Sequence, residues 1–197
     1  MITCSEQKSK SSKPESKEQK SADDKVVIDE EKLAKRELLT EKLKNKELGL
    51  YVYEPFNLPF VDFELEDLNG KKVQMSDFKG KVIFLNFWAT WCGPCRSEMP
   101  SMEKLYNALK NKGLVMLAIN LQEDKKKVAA FMNSNKLTFP VLLDTTGKIG
   151  SIYGARNIPT TYLFDKSGFA VFGTAGAREW NDDQHMEIFR HLLEESE

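Results

Sequence analysis

The residues best suited to chemistry in this 197-residue chain are two cysteines set two residues apart, in Trp91-Cys92-Gly93-Pro94-Cys95. They follow the apolar run Val82-Ile83-Phe84-Leu85-Asn86-Phe87-Trp88 and precede a helix-forming stretch from Arg96 to Lys110. A strand is therefore expected to end here, the chain to turn, and a helix to begin at the cysteines. Cys92 then sits at a helix N-terminus, where free N–H groups and the positive end of the dipole stabilise a thiolate. The spacing lets the pair close into a small disulfide ring. A thiolate that attacks a foreign disulfide, beside a second thiol that resolves the mixed disulfide, is the minimum apparatus for thiol–disulfide exchange. Cys92 is read as the exposed nucleophile and Cys95 as the sheltered resolving thiol. Lowering a cysteine pKa from about 8.5 to about 7 requires roughly 2 kcal/mol, and a surface dipole contact supplies about 0.3–1 kcal/mol. Hydrogen bonds to the sulfur must provide the remainder.

Two other uses of the motif compete with this one. Tetrahedral zinc needs two further soft or imidazole ligands. The chain offers Cys4 in a polar tail and His185 and His191 near its C-terminus, without a second C-x-x-C or an H-x₃₋₅-H. No metal site is expected. An inert structural bridge across two residues would remove little chain entropy.

The stretch Phe87-Trp88-Ala89-Thr90-Trp91-Cys92-Gly93-Pro94-Cys95-Arg96-Ser97-Glu98-Met99-Pro100 resembles the active-site signature of the TlpA/ResA-like extracytoplasmic thioredoxins. Pro59 to Phe63 and Leu68 to Lys71 are similar to that family's opening strand and turn. Ile158-Pro159-Thr160-Thr161-Tyr162-Leu163-Phe164-Asp165 looks like its cis-proline strand. The resemblance implies an α/β, thioredoxin-like fold: a mixed central sheet, helices on both faces, and an N-terminal β-hairpin extension. It implies a thiol–disulfide oxidoreductase whose redox couple is Cys92–Cys95, with no other cofactor. Thioredoxin carries a buried Asp six residues before its first cysteine; here that position is Asn86, which takes no proton. Glu98 matches a buried Glu of the ResA-like branch, so the general base moves from the strand to the helix. The Ile158-Pro159 bond is expected to be cis. Trp91, Gly93, Pro94, Ile158, Pro159 and Thr160 are expected to meet the substrate, with the Ile158 backbone pairing with an extended segment.

The expected task is reduction of disulfides in exported proteins, with cytochrome c maturation as one route, a membrane thiol reductant as electron donor, and a monomeric protein. The competing readings are a peroxiredoxin-like thiol peroxidase and a non-enzymatic binding module using the cis-proline groove. The peroxidase wants a threonine three residues before its cysteine, where this chain has Ala89.

Charge and composition exclude several classes. There are 29 Lys and Arg against 30 Asp and Glu, mixed throughout, so no basic stripe favours nucleic acid. The apolar runs are too short to span a bilayer. Residues 1–25 are too polar to offset the entropy of ordering and read as a disordered tether. Met1-Ile2-Thr3-Cys4 before Ser5-Glu6-Gln7-Lys8 looks like a bacterial lipoprotein junction, which would make Cys4 a lipid anchor and place the protein in the periplasm or its equivalent. The alternative is a free cysteine in a cytosolic tail. Residues 26–56 read as a helical linker, capped by Asp29 and ended by Gly49. Residues 57–197 are expected to form the thioredoxin-like domain.

Within that domain strands are expected at Val61–Leu65, Lys72–Gln74, Val82–Trp88, Leu114–Asn120, Thr160–Asp165 and Ala170–Phe172. Helices are expected at Cys95–Asn111 and Lys125–Asn135. A last helix is capped by Asn181 in a capping box with Gln184, burying Met186, Phe189 and Leu193. Trp88 is expected to lie half in the core. Ala175-Gly176-Ala177-Arg178 carries no signal of its own.

Overall fold

The computed structural model describes residues 59–194. The tether, the helical linker and Cys4 lie outside the described residues.

The sheet is built around β3 (Val82–Trp88), which is buried along its whole length. Such a strand needs neighbours on both edges and cover on both faces. It pairs in parallel with β4 (Leu114–Leu121) and antiparallel with β6 (Thr160–Phe164). Outward from β4 come β5 (Val141–Asp144), β1 (Glu64–Asp67) and β2 (Lys72–Gln74); outward from β6 comes β7 (Ala170–Ala175). The order is β2-β1-β5-β4-β3-β6-β7, a mixed seven-stranded sheet. The expected fold class therefore holds, including the hairpin extension, which pairs antiparallel with β5.

Alternate residues of β3 serve two cores. Val82, Phe84 and Trp88 face α1 (Gly93–Leu109), α2 (Lys125–Ser134) and α4 (Asp183–Glu194), against Met102, Leu105, Met132, Phe189 and Leu192. Ile83, Leu85 and Phe87 face the other side, which is covered by Phe63, Met75 and the short helix α3 (Lys148–Ile152). Burying each such side chain contributes roughly 1.5–3 kcal/mol. Asn86 is a polar residue in the middle of this strand, and it lies on the α1 side.

Some elements fall elsewhere than expected. The first strand starts at Glu64, because residues before it are held by a side chain: the Tyr153 hydroxyl accepts from Val61 N (3.0 Å) and donates to Val61 O (2.8 Å). β5 and α3 had no expected counterpart. α4 is capped by Asp182, whose Oδ1 accepts from His185 N (2.8 Å), so no Asn181 capping box forms. The one-residue shift buries His185, Ile188 and Leu192 with Phe189, and leaves Met186 and Leu193 half-buried. Trp88 is fully buried, packed on Phe131.

Candidate active site

β3 and β4 run parallel, so the chain leaves both at the same edge of the sheet. That edge is where an open α/β sheet places its chemistry. After Trp88 the chain turns, with Cys92 N donating to Ala89 O (3.2 Å), and α1 begins at Gly93. Cys92 is the N-cap residue. Its sulfur accepts from Cys95 N at 3.2 Å, one of the four N–H groups a helix start leaves unpaired. Pro94 fits the first turn because its missing N–H is not needed there. The first turn carries no acidic side chain, so nothing in it opposes an anion at the cap.

Cys92 and Cys95 are joined in a disulfide. Cys95 is 0% exposed and Cys92 only 5%, so the expected contrast between an exposed and a sheltered thiol is small. The cover over Cys92 is the loop at Ile158-Pro159, whose peptide bond is cis. The Ile158 carbonyl oxygen lies 3.5 Å from Cys92 Sγ. That oxygen disfavours a thiolate, while the Cys95 N–H favours it; the two act on the same sulfur with opposite sign. Trp91 is 67% exposed beside the pair, and Gly93 and Pro94 are also at the surface. Ile158 is half-buried, and Pro159 and Thr160 are buried. The cis-proline loop is fixed from behind: Gly176 N donates to Pro159 O (2.8 Å), and Gly176 holds φ at +92°, where a side chain is strained.

Glu98 lies one turn along α1 from Cys95, on the same helix face. It is 2% exposed. Its Oε1 accepts from Asn86 Nδ2 (2.9 Å); its Oε2 accepts from Trp180 Nε1 (3.0 Å) and from Arg178 N (3.2 Å). Burial pushes the carboxyl up from 4.5 to about 7, and the bonds from Trp180, Arg178 N and Asn86 limit the rise. A group poised there can take or give a proton near neutral pH. Asn86 Nδ2 also donates to Thr161 Oγ1 (2.9 Å). The stretch Ala175-Gly176-Ala177-Arg178, silent in the sequence, thus runs on through Trp180 as the lid of the Glu98 pocket. Ser101 Oγ fastens it, accepting from Trp180 N (3.1 Å) and donating to Glu98 O (2.7 Å).

A second buried carboxylate went unmarked in the sequence. Glu123, just past β4, bonds the turn that leads to Cys92 through Thr90. The signal that could have found it is its place after a parallel strand neighbouring β3, at the edge that carries the cysteines.

Residues 57–171 match the AhpC/TSA family. The chain is 41% identical over 130 residues to the thiol-disulfide oxidoreductase ResA of Geobacillus thermodenitrificans, covering 66% of this chain and 75% of that one. The chain belongs to the ResA-like thiol-disulfide oxidoreductases of the AhpC/TSA family. It is 44% identical over 110 residues to the ResA of Bacillus subtilis, where the match spans 56% of this chain and 62% of the relative, under two thirds of its length. Among solved structures it is similar to StoA from Bacillus subtilis (TM-score 0.57, 28% identity, 66% of this chain and 96% of that one). It is also similar to a thiol:disulfide interchange protein of the thioredoxin family from Chlorobium tepidum (TM-score 0.61, 27% identity, 69% and 96%). As an oxidoreductase of the ResA-like family, the protein works through its own cysteine pair.

Proposed function

We propose that this oxidoreductase reduces disulfides of exported proteins, with Cys92 as the attacking thiol, Cys95 as the resolving thiol and Glu98 as the proton exchanger of Cys95. The observation that carries the reading is the pair at the start of α1, with a buried carboxyl one turn behind it and the Ile158-Pro159 loop in front. In the reduced enzyme the Cys92 thiolate attacks one sulfur of the client disulfide. An enzyme–client mixed disulfide forms, and the other client sulfur leaves as a thiolate that takes a proton from water. Cys95 passes its proton to Glu98 and attacks Cys92 Sγ. The second client thiolate leaves, and the Cys92–Cys95 disulfide seen in the structure results. The client has gained two electrons and the enzyme has lost two. A thiol donor then returns the enzyme to the dithiol state, and we assign that donor to the membrane.

In this reading the exposed Trp91, Gly93 and Pro94 and the half-buried Ile158 form the client-facing rim, with the buried Pro159 and Thr160 beneath it. The ResA and StoA relatives support placing the protein outside the cytoplasm; in the same reading it is held there by a lipid on Cys4, works as a monomer and serves the cytochrome c maturation route. Two experiments test the proposal. Cys95→Ser should accumulate a mixed disulfide through Cys92 and Cys92→Ser should form none; trapping by the Cys92→Ser protein would refute the assignment. The midpoint potential of the couple sets the direction: a value near that of thioredoxin, about −270 mV, fits a reductant, and one near that of DsbA, about −120 mV, turns the function to oxidation.

A further inference from the structure

Glu123 is 8% exposed, yet it is an acid surrounded by donors. Its Oε2 accepts from Thr90 N (2.7 Å) and Asn120 Nδ2 (2.8 Å). Its Oε1 accepts from the Thr90 hydroxyl and pairs with Lys127 Nζ at 2.8 Å. Burial pushes this carboxyl up, but the bonds from Lys127, Thr90 and Asn120 outweigh it and hold the group below its ordinary range. It is therefore a charged acceptor at neutral pH, and charge-assisted bonds are the strong ones.

The chain is bent to put it there. Gln122, a residue with a side chain, holds φ at 56°, and its N–H bonds Asp144 O at 2.9 Å. That backbone conformation costs about 1–2 kcal/mol for an L-residue, and such outliers cluster where a site over-determines them. The next residue points inward beneath the turn. Glu123 thus joins three pieces: Asn120 of β4, Lys127 of α2, and the turn that carries Cys92. Thr90 is two residues before Cys92, and the turn is closed by the bond from Cys92 N to Ala89 O. The position of Cys92 Sγ over Cys95 N depends on how that turn is held.

We propose that Glu123 is a positioning residue for the attacking cysteine: by gripping both the N–H and the hydroxyl of Thr90, it fixes the turn that sets Cys92 Sγ against the N–H groups of α1. The inference rests on Cys92 being the nucleophile, as proposed above. Two contributions of Glu123 to the thiolate have opposite signs. Its charge disfavours a nearby anion, and Lys127 offsets that charge. Its grip on Thr90 favours the anion, by keeping the sulfur on its donors. The sign of the effect therefore separates positioning from simple charge.

The test is the pH dependence of iodoacetamide alkylation of the reduced full chain, with the modified cysteine assigned by mass spectrometry. Wild type, Thr90→Val and Glu123→Gln are compared. Thr90→Val removes the hydroxyl bond and keeps the carboxylate and its charge. Positioning raises the Cys92 pKa in both variants by about half a unit or more, a roughly threefold loss of alkylation rate below the transition. The double variant then shifts little further than Glu123→Gln alone, because the two residues act through one contact. A lowered Cys92 pKa in Glu123→Gln with no change in Thr90→Val would make Glu123 a source of charge alone and overturn the proposal. An unchanged pKa in both, with only stability lost, would make it a brace and overturn it equally. If Glu123→Gln does not fold, Thr90→Val decides by the same criterion. Wild-type labelling at Cys95 ahead of Cys92 would overturn the nucleophile assignment as well, which distinguishes that failure from a failure of the positioning role.

Discussion

Replacing Glu98 with Gln should flatten the pH dependence of stability of the oxidised protein. The rise of this carboxyl from 4.5 to about 7 in the folded state corresponds to about 3 kcal/mol at roughly 1.4 kcal/mol per pH unit. The group is almost wholly buried, so solvent screening removes little of it. Between those two pH values the folded protein keeps a proton that the unfolded chain has released. Stability from this group is therefore full below about pH 4.5 and is lost as pH rises through about 7, where a buried charge must be carried. The amide introduced by Glu98→Gln has no proton to lose. Its oxygen can accept from Trp180 and Arg178, and its amide N–H can donate to Asn86 once that side chain turns over, since Asn86 Oδ1 has no partner as the structure stands. Urea denaturation of the oxidised wild type and Glu98→Gln, from about pH 5 to about pH 8.5, is the assay. The wild type should lose about 3 kcal/mol more than the variant across that range. Parallel curves, agreeing within about 0.5 kcal/mol, would refute the reasoning, because Glu98 would then be titrating as an ordinary carboxyl.

Trp180→Phe should keep most of the packing against Phe84 and Phe172 while deleting the indole donor to Glu98. In the same urea series it should cost about 1–3 kcal/mol at pH 8.5 and less at pH 5, because an ionised carboxylate needs the donor more than a neutral one. Gly176→Ala should lower stability by about 1–2 kcal/mol, read by thermal denaturation, since its positive φ disfavours a side chain; an unchanged melting temperature would contradict that account.

The sequence made β3 legible because seven consecutive buried residues have no other reading beside a C-x-x-C turn. It also placed the cysteines at a helix start, since strand, turn and helix follow one another within a few residues. β5 escaped notice because Val141–Asp144 is four residues long, and a short apolar run becomes a strand only through its partners, here β4 and β1. The cap of α4 slipped by one position because Asn181, Asp182 and Asp183 are all able to cap, and only the His185 N–H selects among them. Glu98 could be picked out by resemblance, but its donors could not: Trp180 and Arg178 lie about 80 residues away, and no local pattern links them to it. Glu123 was hidden for the same reason, its partner Thr90 being 33 residues back.

The hairpin of β1 and β2 has a consequence at the margin of the sheet. Without it, β5 would present a row of open backbone groups at the sheet margin, a template on which any extended client could add itself as a further strand. The hairpin takes up that margin and replaces it with β2, three residues long, where Lys72 and Gln74 face solvent and Lys72 pairs with Glu64. A short, charged border is a poor template. On this side of the sheet an extended chain therefore finds little to pair with, and edge-to-edge aggregation is disfavoured there.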